Sequence, residues 1–436
     1  MTVQPEARQF EGENAIATLT PAALHAAIRE PGETAVVDVR EGGRFEAGHV
    51  SVAVPLPLPL GELELHVERL LPRRSIRLVV TDDEGGALGR RAVRRLHALG
   101  YGDVALLAGG LAAWAAEGFE LITGQYSLSK ALGEFVERRY HTPRIGVREL
   151  EERFRSGGDL VVLDTRPLEE FHHISIPGGV AAPGAELLYR VFDAVPSPDT
   201  PVVINCAGRT RAIIGAQALL NAGFPNPVVS LENGTSAWIL AGLEPGRGAT
   251  EKVGPPSPEG LARARAAAAR IAERFGVRRI DAGELARLRA EANQRSLYLL
   301  DVRTPEEFLA GHLPGTLSAP GGQVVQTTDS FIGTRDGIVV LVDDEDGVLP
   351  LWRWRRSRRV SGGRVLALAG GTQSWVDERL EFRSGVDQPA LVPEEALPPL
   401  PTLAERRVAL EAYVRWGDGI VDQLERDGLV RFRAFD

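Results

Sequence analysis

The stretch VVINCAGRTRAIIGAQALL, residues 202–220, carries the single cysteine of a 436-residue chain. Val202 to Asn205 read as a short buried strand, and Ile213, Ile214, Ala218 and Leu219 recur at helical spacing. The turn between them is CAGRTR. A thiol at Cys206 is expected to face the backbone N–H groups of its own loop and the positive end of the following helix, with Arg209 and Arg211 close by. Each of these favours thiolate over thiol.

On either side of this segment the chain repeats itself. VVDVREGGRFEAGHV (36–50), VLDTRPLEEFHHISIPGG (162–179) and LLDVRTPEEFLAGHLPG (299–315) share a strand ending in Asp-x-Arg, then a Glu and an aromatic residue. Each is followed by a Gly-containing turn and a tryptophan, in AGGLAAW, ENGTSAW and AGGTQSW. Asp38 lies 76 residues before Trp114, and Asp164 and Asp301 lie 74 before Trp238 and Trp375. Three copies of one domain account for this, over 15–122, 145–243 and 278–382.

Within each copy, apolar runs such as AVVDV, VVIN and IVVLV alternate with helical stretches such as LGRRAVRRLHALG, TRAIIGAQALLNAG and TPEEFLAG. Apolar strands interleaved with helices predict an α/β fold, each copy a parallel β-sheet flanked by helices on both faces. Such folds place their sites outside the C-terminal ends of the strands. Cys206 stands at one of those ends.

Residues 124–144 predict a helical connector, and 245–278 a Pro/Gly stretch running into an alanine-rich helix. A proline-rich linker, QPALVPEEALPPLPT, precedes a helical tail within 400–436, read as a docking helix or the vestige of a further repeat. Apolar residues at 44% and charged residues at 25% supply material for several cores. A net charge of −9 and a pI near 5.6 argue against nucleic-acid binding as the main function. The basic run WRWRRSRR (352–359) reads as a solvated helix face. The N-terminal twenty residues lack the basic start and apolar core of a signal peptide, and no apolar run is long enough to span a membrane. With one cysteine and so no internal disulfide, the expectation is a cytoplasmic protein without metal or other cofactor. No second thiol in the chain can resolve a species formed on Cys206.

Together these residues resemble the rhodanese-like sulfurtransferases, and in particular the multi-domain, tandem members of that family that act on thiosulfate. The resemblance rests on the Asp-x-Arg and Glu-aromatic segments, the GH of AGHV and AGHL, the Gly turn before tryptophan, and the length of the cysteine loop. It implies three tandem rhodanese-like domains and a double displacement. A thiolate takes a sulfane sulfur from a donor such as thiosulfate, holds it as a persulfide, and passes it to cyanide or a thiol. The resemblance places the persulfide on Cys206 and the substrate cradle on Ala207, Gly208, Arg209, Thr210 and Arg211. It gives Asp164 and Arg166 a supporting, largely structural part. Ile174 and Ser175 stand where the other copies have GH, with His172 and His173 just upstream, so no catalytic histidine is assigned. The implied partners are a small sulfur donor and a thiophilic acceptor, with neither nucleic acid nor membrane.

The residue 32 positions before each tryptophan is Cys206 in copy two, Asp82 in copy one and Asp343 in copy three. Aspartate cannot hold a sulfane sulfur, and the loops DDEGG and DDEDG would repel a dianion. Copies one and three are therefore expected to be inactive and to shape or cover the cleft of copy two. Two other classes stand beside this one. A cysteine-dependent phosphatase or arsenate reductase of related fold would need five residues between cysteine and arginine, and four are present. A non-enzymatic scaffold fits the two disarmed loops and conflicts with the intact one.

Overall fold

Alternate residues of each central strand face opposite cores, which is why these strands carry uninterrupted apolar runs. In the computed structural model, which describes residues 16–184, 186–344, 364–377, 380–385 and 403–432, Val202 and Ile204 enter one cluster and Val203 the other. Val79 and its neighbours Leu78 and Val80 divide in the same way, as do Val339 and Val340. Each such side chain, fully buried, contributes about 1.5–3 kcal/mol. The N-terminal fifteen residues, WRWRRSRR and the proline-rich linker lie outside the described residues.

Copy one holds β1 (Thr18–Leu19), β2 (Thr34–Asp38), β3 (Leu56–Pro57), β4 (Arg77–Thr81) and β5 (Val104–Leu107). Copy two holds β6 (Arg144–Ile145), β7 (Val161–Asp164), β8 (Val180–Ala181), β9 (Val202–Asn205) and β10 (Val228–Leu231). Copy three holds β11 (Arg278–Ile280), β12 (Leu297–Asp301), β13 (Leu317–Ser318), β14 (Ile338–Val342) and β15 (Arg364–Leu368). The sheets run β1-β5-β4-β2-β3, β6-β10-β9-β7-β8 and β11-β15-β14-β12-β13, so one strand order serves all three. Every pairing in them is parallel, as the helix-strand alternation predicts.

Seven helices position the features discussed below: α1 (Ala87–Ala98), α2 (Ser127–Tyr140), α3 (Leu168–His173), α4 (Thr210–Asn221), α5 (Gly234–Leu240), α6 (Pro258–Arg274) and α7 (Leu403–Asp427). Ser257 caps α6 by accepting from the Gly260 N–H at 3.0 Å, with Pro258 at the first helical position. Helix α2 is the connector read between copies one and two, and α7 lies against it. Ile420, Val421 and Leu424 of α7 share a buried cluster with Ile122, Ala131 and Val430. Copy three faces copy two across a cleft of about 710 Å³, with Arg303, Thr304 and Pro320 opposite Thr165, Pro183 and Lys252.

The recurring tryptophans are core residues with satisfied donors. Trp114, Trp238 and Trp375 are buried, and each indole N–H reaches the carbonyl six residues on, at 2.9, 3.1 and 2.7 Å. This packing role explains why tryptophan persists in copies that lack a cysteine.

Candidate active site

Cys206 follows β9 at its C-terminal end and is only 2% exposed. The next helix in space, α5, fixes the loop's shape. Its first N–H groups, from Thr235 and Ser236, donate to the carbonyls of Cys206 and Ala207 at 3.0 Å each, and the Ser236 hydroxyl adds a 2.7 Å bond to Ala207. With carbonyls drawn outward, the N–H groups of Gly208 and Ala212 are left to point at the sulfur. Gly234 is required here, because its φ is +52° and a Cβ would stand 2.3 Å from the Cys206 carbonyl oxygen. The same contact makes Gly110 and Gly371 obligatory beside the Asp82 and Asp343 carbonyls of the other copies.

Burial pushes the Cys206 thiol up, against the downward pull of Arg211 and of the Ala212 and Gly208 N–H groups, and Asp164 adds to the rise. Burial thus runs against the thiolate that the loop's own sequence favours. The loop donors and Arg211 pull the thiol down, but desolvation of an almost inaccessible sulfur outweighs them. Alkylation of this sole cysteine by iodoacetamide is therefore expected to keep accelerating as pH passes about 8.5, the ordinary thiol value. A rate that levels off at lower pH would contradict it.

Arg211, its side chain 11% exposed, forms a two-pronged pair with Glu170 of α3, at 2.7 and 2.8 Å. Burial works against its charge, and the Glu170 carboxylate more than restores it, with Cys206 and Asp164 adding further. Arg209 is not brought to the sulfur. Its guanidinium turns to α2, where it pairs with Glu134 and, at 2.5 Å, with Glu137, and it also donates to Asn233 at 3.2 Å. Thr210, the first residue of α4, is buried beneath Gly133 of α2, where any Cβ would lie 2.9 Å from the Thr210 Cα. Ala207 contributes its pinned carbonyl, and Gly208 contributes its N–H.

Asp164 and Arg166 form a buried pair at 2.8 and 2.7 Å, and the arginine also donates to the Ile174 carbonyl at 2.6 Å. Arg40 does the same with Asp38 and Gly48, and Arg303 with Asp301 and Gly311. The pair is thus a structural brace common to all copies. In copy two it also reaches the loop, because Asn205 donates to Asp164 at 2.7 Å and to Thr235 at 3.1 Å. Asn205, Thr235, Ser236, Glu134 and Glu170 are site residues that sequence reasoning missed. ENGTSAW was read for its glycine and tryptophan, although its polar residues hold the loop.

The histidines of AGHV and AGHL are packing groups. His49 and His312 stack on Phe45 and Phe308 at 3.9 Å between ring centroids, with Nδ1 within 3.1 and 3.0 Å of the same residues' carbonyls. Burial drives His49 down to about 4. In copy two Ser175 holds that place and exchanges two 2.9 Å backbone bonds with Gly246.

In copy one the loop is closed on itself. The Asp82 carboxylate, 3% exposed, accepts from the N–H groups of Glu84 at 3.2 Å, Gly86 at 3.0 Å and Gly89 at 2.8 Å, and from that of Gly85. In copy three Asp343 accepts from the Asp344 N–H at 2.7 Å. Among the described residues no group of His, Cys, Asp and Glu is arranged to hold a metal, and no helix is long and apolar enough to cross a membrane.

A triplicated parallel sheet with one cysteine loop at a strand end defines a class. The family model for the rhodanese-like domain matches residues 20–117, 147–241 and 281–378, and the chain belongs to that family. It is similar over 97% of its length to the whole crystallised chain of a thiosulfate sulfurtransferase from Pseudomonas aeruginosa, at 34% identity and a TM-score of 0.82. A probable 3-mercaptopyruvate sulfurtransferase of the same organism is 33% identical over 209 residues, covering 42% of this chain and 72% of that protein. A transcriptional regulator of the HTH type from Mycobacterium tuberculosis is 31% identical over 97 residues, 22% of this chain and 42% of its own.

Proposed function

We propose that the protein is a sulfurtransferase that moves a sulfane sulfur from thiosulfate to cyanide or a small thiol through a persulfide on Cys206. The carrying observation is the cysteine loop itself, in which N–H groups converge on a sulfur at a strand end and Arg211 stands beside it. The buried thiol first gives its proton to solvent. The thiolate then attacks the outer sulfur of thiosulfate, the new S–S bond forms, and sulfite leaves with the electron pair of the broken one. Cyanide next attacks the outer persulfide sulfur, and thiocyanate departs as the thiolate returns. The loop N–H groups and Arg211 stabilise the anion at each stage.

Four residues between Cys206 and Arg211 form a cradle suited to a single sulfur atom, which speaks against the phosphatase reading. Copies one and three serve as structure, since Asp82 already fills the N–H cradle of its own loop and Asp343 offers no thiol. With Arg209 neutralised on α2 and Arg211 shared with Glu170, the loop holds less free positive charge than its sequence implies. Mercaptopyruvate, a monoanion, is thus the competing donor. Thiocyanate formation measured with each donor tests the reading. Thiosulfate is expected to support turnover that Cys206→Ser abolishes, and no turnover with either donor would overturn it.

A further inference from the structure

The C-terminal helix α7 lies against the outer side of the cysteine loop. Gly208, whose N–H points at the sulfur, is touched by Tyr413 of α7: a Cβ on Gly208 would stand 3.1 Å from the tyrosine Cε1 and 3.5 Å from its hydroxyl oxygen. The aromatic ring thus occupies the volume that a side chain at this loop position would fill. It is fixed from behind. The Lys130 ammonium of α2 lies 4.5 Å from the Tyr413 ring centroid and 4.3 Å from that of Trp416, and the Trp416 indole N–H reaches the Thr123 hydroxyl at 3.1 Å. Arg138 of α2 holds the same helix through Asp422 at 2.7 Å and the Asp418 carbonyl at 2.8 Å. Tyr413 keeps 39% of its surface exposed, whereas Cys206 keeps 2%. The ring therefore stands at the rim of the loop, with the sulfur within.

We infer that Tyr413 is a specificity-determining residue of the Cys206 site, a rim supplied by the C-terminal helix that limits the size of molecules reaching the sulfur. The inference rests on the sulfur-transfer reading for its consequence: the acceptor class is small, cyanide or a compact thiol, and bulky thiols are disfavoured. A side chain on Gly208 would be bound to the loop that holds the sulfur. A ring delivered by another helix restricts access without distorting that loop.

Because Cys206 is the only cysteine, labelling reads its accessibility directly. The experiment compares rate constants for iodoacetamide and for a bulky fluorescein maleimide in the full chain. In Tyr413→Ala the maleimide rate is expected to rise roughly tenfold while the iodoacetamide rate changes less than about twofold, and Tyr413→Phe, which keeps the ring, to match the wild type. Arg138→Ala, which weakens the helix's hold from the surface, is expected to move the ratio the same way by a smaller factor. An unchanged ratio in both Tyr413→Ala and Arg138→Ala, or equal acceleration of both reagents, would overturn the inference. Transfer to glutathione relative to cyanide is expected to follow the labelling ratio. Labelling needs no sulfur chemistry. A size-dependent ratio without thiocyanate formation would therefore leave the rim standing and remove the sulfurtransferase, and the converse result would do the reverse.

Discussion

Arg211→Met is expected to slow sulfur uptake from thiosulfate by about a hundredfold or more, the usual cost of removing one preorganised charge-stabilising group. Burial raises the Cys206 thiol, and Arg211 is the largest influence opposing it. Without that guanidinium the thiolate fraction at neutral pH falls further, and the incoming dianion meets an unopposed Glu170 carboxylate. Both effects act in one direction. Glu170 is 40% exposed, so water can solvate it once its partner is gone, and the melting temperature is expected to change little. Arg211→Lys keeps the charge and loses the fork that matches Glu170, and an intermediate rate is expected. Single-turnover kinetics with thiosulfate measure these differences. A rate for Arg211→Met within about threefold of the wild type would show that the N–H groups alone suffice.

Asp82→Ala is expected to leave transfer at Cys206 within about twofold of the wild type, yet to destabilise copy one by about 3 kcal/mol. The carboxylate, itself buried, satisfies the buried N–H of Gly89 and the part-buried N–H groups of Glu84, Gly85 and Gly86. Removing it leaves the buried Gly89 N–H without an acceptor and the other three donors dependent on water. Denaturant unfolding is expected to show an earlier transition for copy one, since a chain of several domains need not unfold in one step. Asp82→Asn keeps one acceptor oxygen but turns an NH₂ group toward donors, so it is expected to recover part of the loss. Full activity loss in Asp82→Ala would contradict a purely structural copy one.

The fold was legible because its determinants are local. Strands such as Val202–Asn205 are apolar on both faces, and the Asp-x-Arg brace and the glycine-tryptophan turn recur in all three copies. The glycine turn also marks where each nucleophile-position loop packs, through Gly110, Gly234 and Gly371. Within the candidate site, Cys206 and Arg211 stand on one loop and can be paired from its sequence alone. The direction of Arg209 cannot be read there, because the carboxylates that draw it away, Glu134 and Glu137, lie 75 and 72 residues earlier in the chain. Desolvation of Cys206 was hidden for a similar reason. A cysteine's flanking cations can be seen in its own loop, whereas the helices that seal it from water come from distant segments. The tail shows the same limit, since a helical pattern near the C-terminus gives no sign that Tyr413 will rest on Gly208.

On the proposed reading Cys206 alone carries the transferred sulfur. Intact-mass measurement after incubation with thiosulfate, followed by cyanide, tests it most directly. A gain of one sulfur atom is expected in the wild type, with its loss when cyanide is added and no gain in Cys206→Ser. A wild-type mass left unchanged by thiosulfate and by mercaptopyruvate, or a gain that survives Cys206→Ser, would contradict it.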